Sequence, residues 1–145
     1  MKGETMKGKY RIMLVVAGLL LALALPVLGC GGDSPSVVAE RFVTASADLD
    51  CDTLVELMSN DSVQLFGEDR GQAVEACKEQ LAALGEGAPN LEVTSFEVTE
   101  ENIDGDTATV DFKASAKIEG EETEQTQEDT VNLVKEDGKW KVSVG

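Results

Sequence analysis

The chain has 145 residues, 28 Asp and Glu against 12 Lys and Arg, a formal charge of −16, and no histidine. That balance favours solubility and argues against nucleic acid or an anionic lipid surface as a partner. Without an imidazole, His-based acid–base catalysis and zinc sites of the usual kind are excluded on inventory alone.

Residues 1–11 carry Lys2, Lys7, Lys9 and Arg11 against a single acid, Glu4. An unbroken apolar run follows from Ile12 to Leu25. As a helix it would span about 21 Å, short of a ~30 Å hydrocarbon core. A basic start, a short apolar stretch and then small residues form the layout of a secretory signal peptide, here residues 1–29. Met6 is an alternative start, because enough basic residues follow it. The competing reading is an uncleaved membrane helix over Ile12 to Leu28. Pro26 and the run Gly29-Cys30-Gly31-Gly32 oppose it.

The segment Val27-Leu28-Gly29-Cys30 resembles the bacterial lipobox, with Leu28 bulkier than the usual Ala or Ser. That resemblance implies lipid attachment at Cys30, which becomes the first residue after cleavage. It also implies an extracytoplasmic protein held to the membrane by acyl chains such as palmitate. Two acyl chains anchor stably where one does not. Cleavage removes four cations and one acid, leaving 8 cations, 27 acids and a formal charge of −19 on 116 residues. That length suits one domain. With Cys30 lipidated, Cys51 and Cys77 remain as a candidate disulfide in an oxidising compartment. The alternative is two separate buried thiols.

Residues 30–33 read as a lipidated tether and 34–145 as a single domain. Ser34-Pro35 is an N-cap followed by a first helical residue. Val38, Phe42, Ala45 and Leu49 continue at helical spacing, predicting a helix from Pro35 to about Ala47. Asp48-Leu49-Asp50 is a turn. A second helix is expected from about Cys51 to Met58, with Leu54, Leu57 and Met58 as its apolar face, broken at Ser59-Asn60-Asp61. A third begins near Asp69 with the stripe Val74, Cys77, Leu81 and Leu84, so Cys77 is expected to point inward. Gly85 to Pro89 ends the helical half.

The second half alternates. Ala108, Val110, Phe112, Ala114, Ala116 and Ile118 mark the clearest strand. Val131 and Leu133, then Trp140, Val142 and Val144, flank Asp137-Gly138, a two-residue hairpin signal. The expected pairs are Leu133 with Val142 and Val131 with Val144. Glu119-Gly120 reads as another tight turn. It would set Ala116 opposite Thr123, Ala114 opposite Gln125, Phe112 opposite Gln127, and Lys117 beside Glu122. A three-residue loop, Asp104-Gly105-Asp106, brings Val98 to Phe112 and Phe96 to Ala114. Leu91 and Val93 are out of phase with Phe96 and Val98, which predicts a bulge near Thr94-Ser95. The fold class is α+β, with N-terminal helices packed on a curved four-stranded antiparallel sheet.

Three segments carry a wider resemblance. They are residues 34–43 (SPSVVAERFV), 103–110 (IDGDTATV) and 133–142 (LVKEDGKWKV). On these the chain resembles small bacterial lipoproteins of a domain-of-unknown-function family in the nuclear-transport-factor-2-like, or cystatin-like, superfamily. The resemblance implies a curved sheet wrapped around a long N-terminal helix, forming a cone with a cavity. It implies no assigned activity.

No motif marks a catalytic residue, a cofactor site or a metal site. The only Tyr, Tyr10, leaves with the signal. Asp129 is the one acid expected on the core side, where burial would raise its pKa; the alternative places it at a frayed rim. Ala114 and Ala116 facing Thr123, Gln125 and Gln127 suggest a modest pocket for a small polar or amphipathic ligand, or else a thinly covered sheet end. The acids from Glu119 to Asp129 read as a solvated face, with weak divalent-cation binding as the alternative. Asp104-Gly105-Asp106 resembles part of a calcium loop, but a hairpin turn explains it better. Trp140 is read as core packing rather than as an exposed partner anchor.

The functional reading is a lipid-anchored, non-catalytic binding or interaction module. Its partners would be the membrane, through the Cys30 acyl chains, and a small ligand or envelope protein. A structural or inhibitor-like envelope lipoprotein is the alternative, and a cone-pocket enzyme the third.

Overall fold

A computed structural model of the protein describes residues 32–87 and 89–145. The expected signal peptide and the expected lipid-attachment residue Cys30 lie outside the described residues. Helix α1 spans Pro35–Ala47, capped by the Ser34 side chain and with Pro35 in its first turn. Its buried side chains include Val38, Ala39 and Ala45. Leu49 takes φ +57 and breaks the chain into α2, Cys51–Leu57, whose N-cap Asp50 accepts from the Thr53 backbone N–H. In α2 it is Val55, not Leu54, that is buried beside Leu57.

A short helix, α3 (Asn60–Val63), follows where the sequence suggested only a break. Ser59 caps it, and Ser59, Ser62 and Val63 are buried. Four residues are too few to show a periodicity, but Ser-x-x-Ser capping chemistry was present. Helix α4 spans Arg70–Leu84, capped by Asp69. Gly67 lets α4 start close by, because a Cβ there would come within 2.7 Å of Gln72 Cβ. Its expected inward stripe is scarcely covered. Ala73 alone is fully buried, and Leu84 is 66% exposed. The reason is that α4 packs on α2 rather than on the sheet.

The sheet is a meander of four strands: β1 Leu91–Asp104, β2 Thr107–Ile118, β3 Glu124–Glu136 and β4 Lys139–Val142. Between β1 and β2, Val98 meets Phe112 and Phe96 meets Ala114 as expected. The turn, however, is Gly105-Asp106, two residues rather than three, since Asp104 pairs with Thr107. The extra residue sits in the strand as a bulge at Thr99 and restores the phase. A second bulge, at Thr94, re-aims Leu91 and Val93.

Between β2 and β3 the connection is Glu119 to Thr123, longer than a tight turn. The register is therefore two residues away from expectation: Ala116 opposes Gln125, Ala114 opposes Gln127 and Phe112 opposes Asp129. A two-residue shift preserves which face each side chain occupies, so alternation cannot detect it. Lys117 consequently pairs with Glu92, at 3.1 Å, and not with Glu122.

Asp137 and Gly138, at φ +50 and +77, make the β3–β4 turn, and Leu133 meets Val142. The expected pairing of Val131 with Val144 is replaced. The Val144 N–H donates to Ser62 Oγ at 2.9 Å, so the chain leaves the sheet after Ser143. The main core joins Val38, Ala39 and Leu57 to Val110, Phe112, Leu133 and Val142, with Trp140 packed at its margin.

Candidate functional site

The core covers only one end of the sheet. Along β2, Ala108, Val110 and Phe112 are buried, whereas Ala114 and Ala116 are only partly so. Along β3, Val131 and Leu133 are buried, whereas every residue from Glu124 to Thr130 is exposed. Helix α1 reaches the opening with its second half, through Phe42, Val43, Ser46 and Ala47. The result is an open cleft of about 920 Å³ on the concave side.

Its floor is apolar: Val93 from β1, Phe112 and Ala114 from β2, and Val131 from β3. Phe112 stacks on Phe96 with centroids 4.9 Å apart, which stiffens that floor. Thr123, Gln125 and Gln127 supply polar groups along one wall. All five residues singled out in sequence, Ala114, Ala116, Thr123, Gln125 and Gln127, line this one cleft. Small side chains on β2 leave the volume that the β3 amides border. Phe42, Ser46 and the 142–145 segment also line it, and sequence reasoning missed them. The course of α1 over the sheet brings Phe42 and Ser46 there, and the bonds of Ser143 to Asn132 and of Val144 to Ser62 place the 142–145 segment.

Asp129 lines the cleft but is exposed rather than buried. Its Oδ1 accepts from the Thr130 N–H at 2.8 Å, so it is occupied at the rim. The cleft's charged side chains are Glu121 and Asp129. Among the described residues, no three or more Cys, Asp or Glu groups gather to hold a metal ion. Cys51 and Cys77 form a disulfide, which ties α4 to the first residue of α2. Arg70, opening α4, donates to the carbonyls of Val55 and Met58 and to Asn60 Oδ1, closing the end of α2. These contacts hold the helical cover and lie outside the cleft's lining.

A cone-shaped antiparallel sheet closed by an N-terminal helix defines the nuclear-transport-factor-2-like class, a fold used for ligand binding and for catalysis. Within it the chain belongs to the SnoaL-like domain family, whose model matches residues 37–143. Among solved structures it is similar to a SEC-C-motif-containing protein from Rhodopseudomonas palustris. That match has 22% identity and a TM-score of 0.54, covering 77% of this chain and 76% of the other. It is also similar to a protein described as an NTF2-like transpeptidase from Campylobacter jejuni, at 17% identity and a TM-score of 0.51, covering 78% and 100%. A third likeness is to a protein described as a calcium/calmodulin-dependent protein kinase type II association domain, from Thiobacillus denitrificans. There the identity is 14% and the TM-score 0.54, covering 75% and 89%. At these identities the likeness is one of fold. No curated protein matches the chain.

Proposed function

We propose that the protein is an extracytoplasmic lipoprotein, anchored through acyl chains on Cys30, that binds a small polar or amphipathic ligand in the cleft without catalysing its conversion. The observation that carries this reading is the cleft itself: an apolar floor, a wall of amides and hydroxyls, and a volume within the usual range for small-molecule sites. The non-catalytic part rests on chemistry. The wall groups Thr123, Gln125 and Gln127 can orient a ligand but are not acids or bases near neutral pH, and the two carboxylates of the lining, Glu121 and Asp129, are exposed, with Asp129 accepting from the Thr130 N–H.

Two experiments test this. Replacement of Cys30 by Ser should abolish metabolic labelling with palmitate, and labelling that persists refutes the anchor. Native mass spectrometry of the full-length protein from its own membranes should show a chain beginning at Cys30 with a retained small molecule. A chain with no adduct under gentle release counts against the ligand.

A further inference from the structure

Strand β3 has an open edge. Strand β4 pairs with it only from Leu133 to Glu136. One more bond, from the Ser143 N–H to the Asn132 carbonyl at 2.8 Å, ends the ladder before Val144 turns to Ser62. From Glu124 to Val131, β3 has β2 on one side and no strand on the other among the described residues. In an antiparallel ladder, alternate residues turn their N–H and C=O to the same side. Asn132 faces the β4 side, so Thr130, Glu128, Thr126 and Glu124 do too. The Thr130 N–H is taken by Asp129. The other three leave their backbone groups without a strand partner over roughly 13 Å of the eight-residue stretch Glu124–Val131.

This edge is also a rim of the cleft, which Thr126 and Thr130 line together with Gln125 and Gln127. A strand laid along it would drop alternate side chains over the apolar floor and point the others to the convex face. Its charge selects the occupant. The Glu124–Val131 edge holds three acids, Glu124, Glu128 and Asp129, and no Lys or Arg, and three more, Glu119, Glu121 and Glu122, lie in the connection before it. One of them, Glu128, is paired, with Lys113 at 3.5 Å, and that pair is exposed. A second copy of the chain would set acid against acid across the edge, which is unfavourable. A bare exposed edge is a ready template for strand addition, and unneutralised charge keeps like edges apart while admitting a complementary one.

The geometry points to the Glu124–Val131 edge as a docking site for an extended polypeptide strand that alternates basic and apolar residues, added in line with β4. This surface is distinct in chemistry from the small-ligand reading, because it uses backbone pairing.

The test titrates the full-length protein with an acetylated, amidated peptide of alternating Lys and Val, about eight residues long to match the edge. Binding is read by calorimetry, and amide exchange is followed at Thr126 and Glu128. The Lys–Val peptide should bind and slow exchange at both amides. The same peptide with Glu for Lys should bind at least ~10-fold more weakly, because like charge opposes the encounter. A Lys–Val peptide N-methylated on its edge-facing amides should lose binding. Equal binding of the methylated peptide reduces the effect to bulk charge and overturns the proposal. So does absence of Lys–Val binding, equal binding of the acidic peptide, or protection of the two amides before any peptide is added.

Discussion

Strands β2 and β3 each pass through two environments. Near the β1–β2 and β3–β4 turns their inward side chains are Ala108, Val110, Phe112, Val131 and Leu133, all buried under α1 and α2. Toward the β2–β3 connection the same faces carry Ala114, Ala116, Gln125 and Gln127, which line open space. The backbone ladder is continuous through both regions. Hydrogen bonding therefore does not distinguish them; side-chain size and helical cover do. Where Leu, Val and Phe meet a helix, the sheet forms a core. Where Ala meets Gln and α1 ends at Ala47, it forms a cleft. Stability should thus reside in one half and recognition in the other.

The largest test of that division is in the covered half. Leu133 is 1% exposed at the centre of the core. Leu133→Ala should cost ~2–5 kcal/mol in urea unfolding, the range for large-to-small core changes. A loss below 1 kcal/mol would mean the core is not where the burial places it.

Next is the disulfide. It ties α4, which packs on α2 and not on the sheet, to the rest of the domain. Replacing both Cys51 and Cys77 by Ser should cost ~3–4 kcal/mol by loop-closure entropy. Amide exchange in α4 should rise more than in β2, because α4 is held by α2 and its neighbours through Ala73, Arg70 and the disulfide and not by the sheet. Uniform acceleration across both would show that α4 belongs to the same cooperative unit as the sheet.

Arg70 should matter less. It satisfies two carbonyls at the end of α2. Arg70→Ala should cost about 1–3 kcal/mol, the range for leaving such groups unmet. The cleft's shape should not change.

The smallest effect concerns Asp50, the N-cap of α2. Its hydrogen bonds to the Thr53 side chain and backbone hold its pKa below the usual 3.8. The folded state therefore binds the proton more weakly than the unfolded one. The cap's contribution is present above pH 3.8 and is lost as pH falls through the folded value. Asp50→Asn should flatten that acid limb of the stability profile. An unchanged limb would assign the acid sensitivity to other carboxylates.

The sequence displayed much of this division, though not all. Ser34-Pro35 marked a helix start by its capping chemistry, an apolar stripe pointed to a third helix near Asp69, and α1 and α4 begin there. The unbroken alternation from Ala108 to Ile118 marked β2 and the face of each of its side chains. The Ala and Gln positions showed where large side chains stop, and so where space remains. Three features lay beyond reach for physical reasons. The bulge at Thr99 and a shorter turn give the same facing as a longer turn alone. The β2–β3 register moved by two residues, to which the pattern is blind. The exposure of Leu84 depends on where α4 docks, which a stripe of apolar residues does not reveal.

The two halves meet in one comparison, the Gln125→Leu/Gln127→Leu double variant beside the wild type. Both proteins would be taken full length from their own membranes, weighed by native mass spectrometry and unfolded in urea. The account predicts that the wild type carries a small-molecule adduct, that the variant has lost it, and that the two unfolding free energies agree within about 0.5 kcal/mol. An adduct retained by both, or a variant that unfolds far more easily, would contradict the assignment of binding to this half of the sheet.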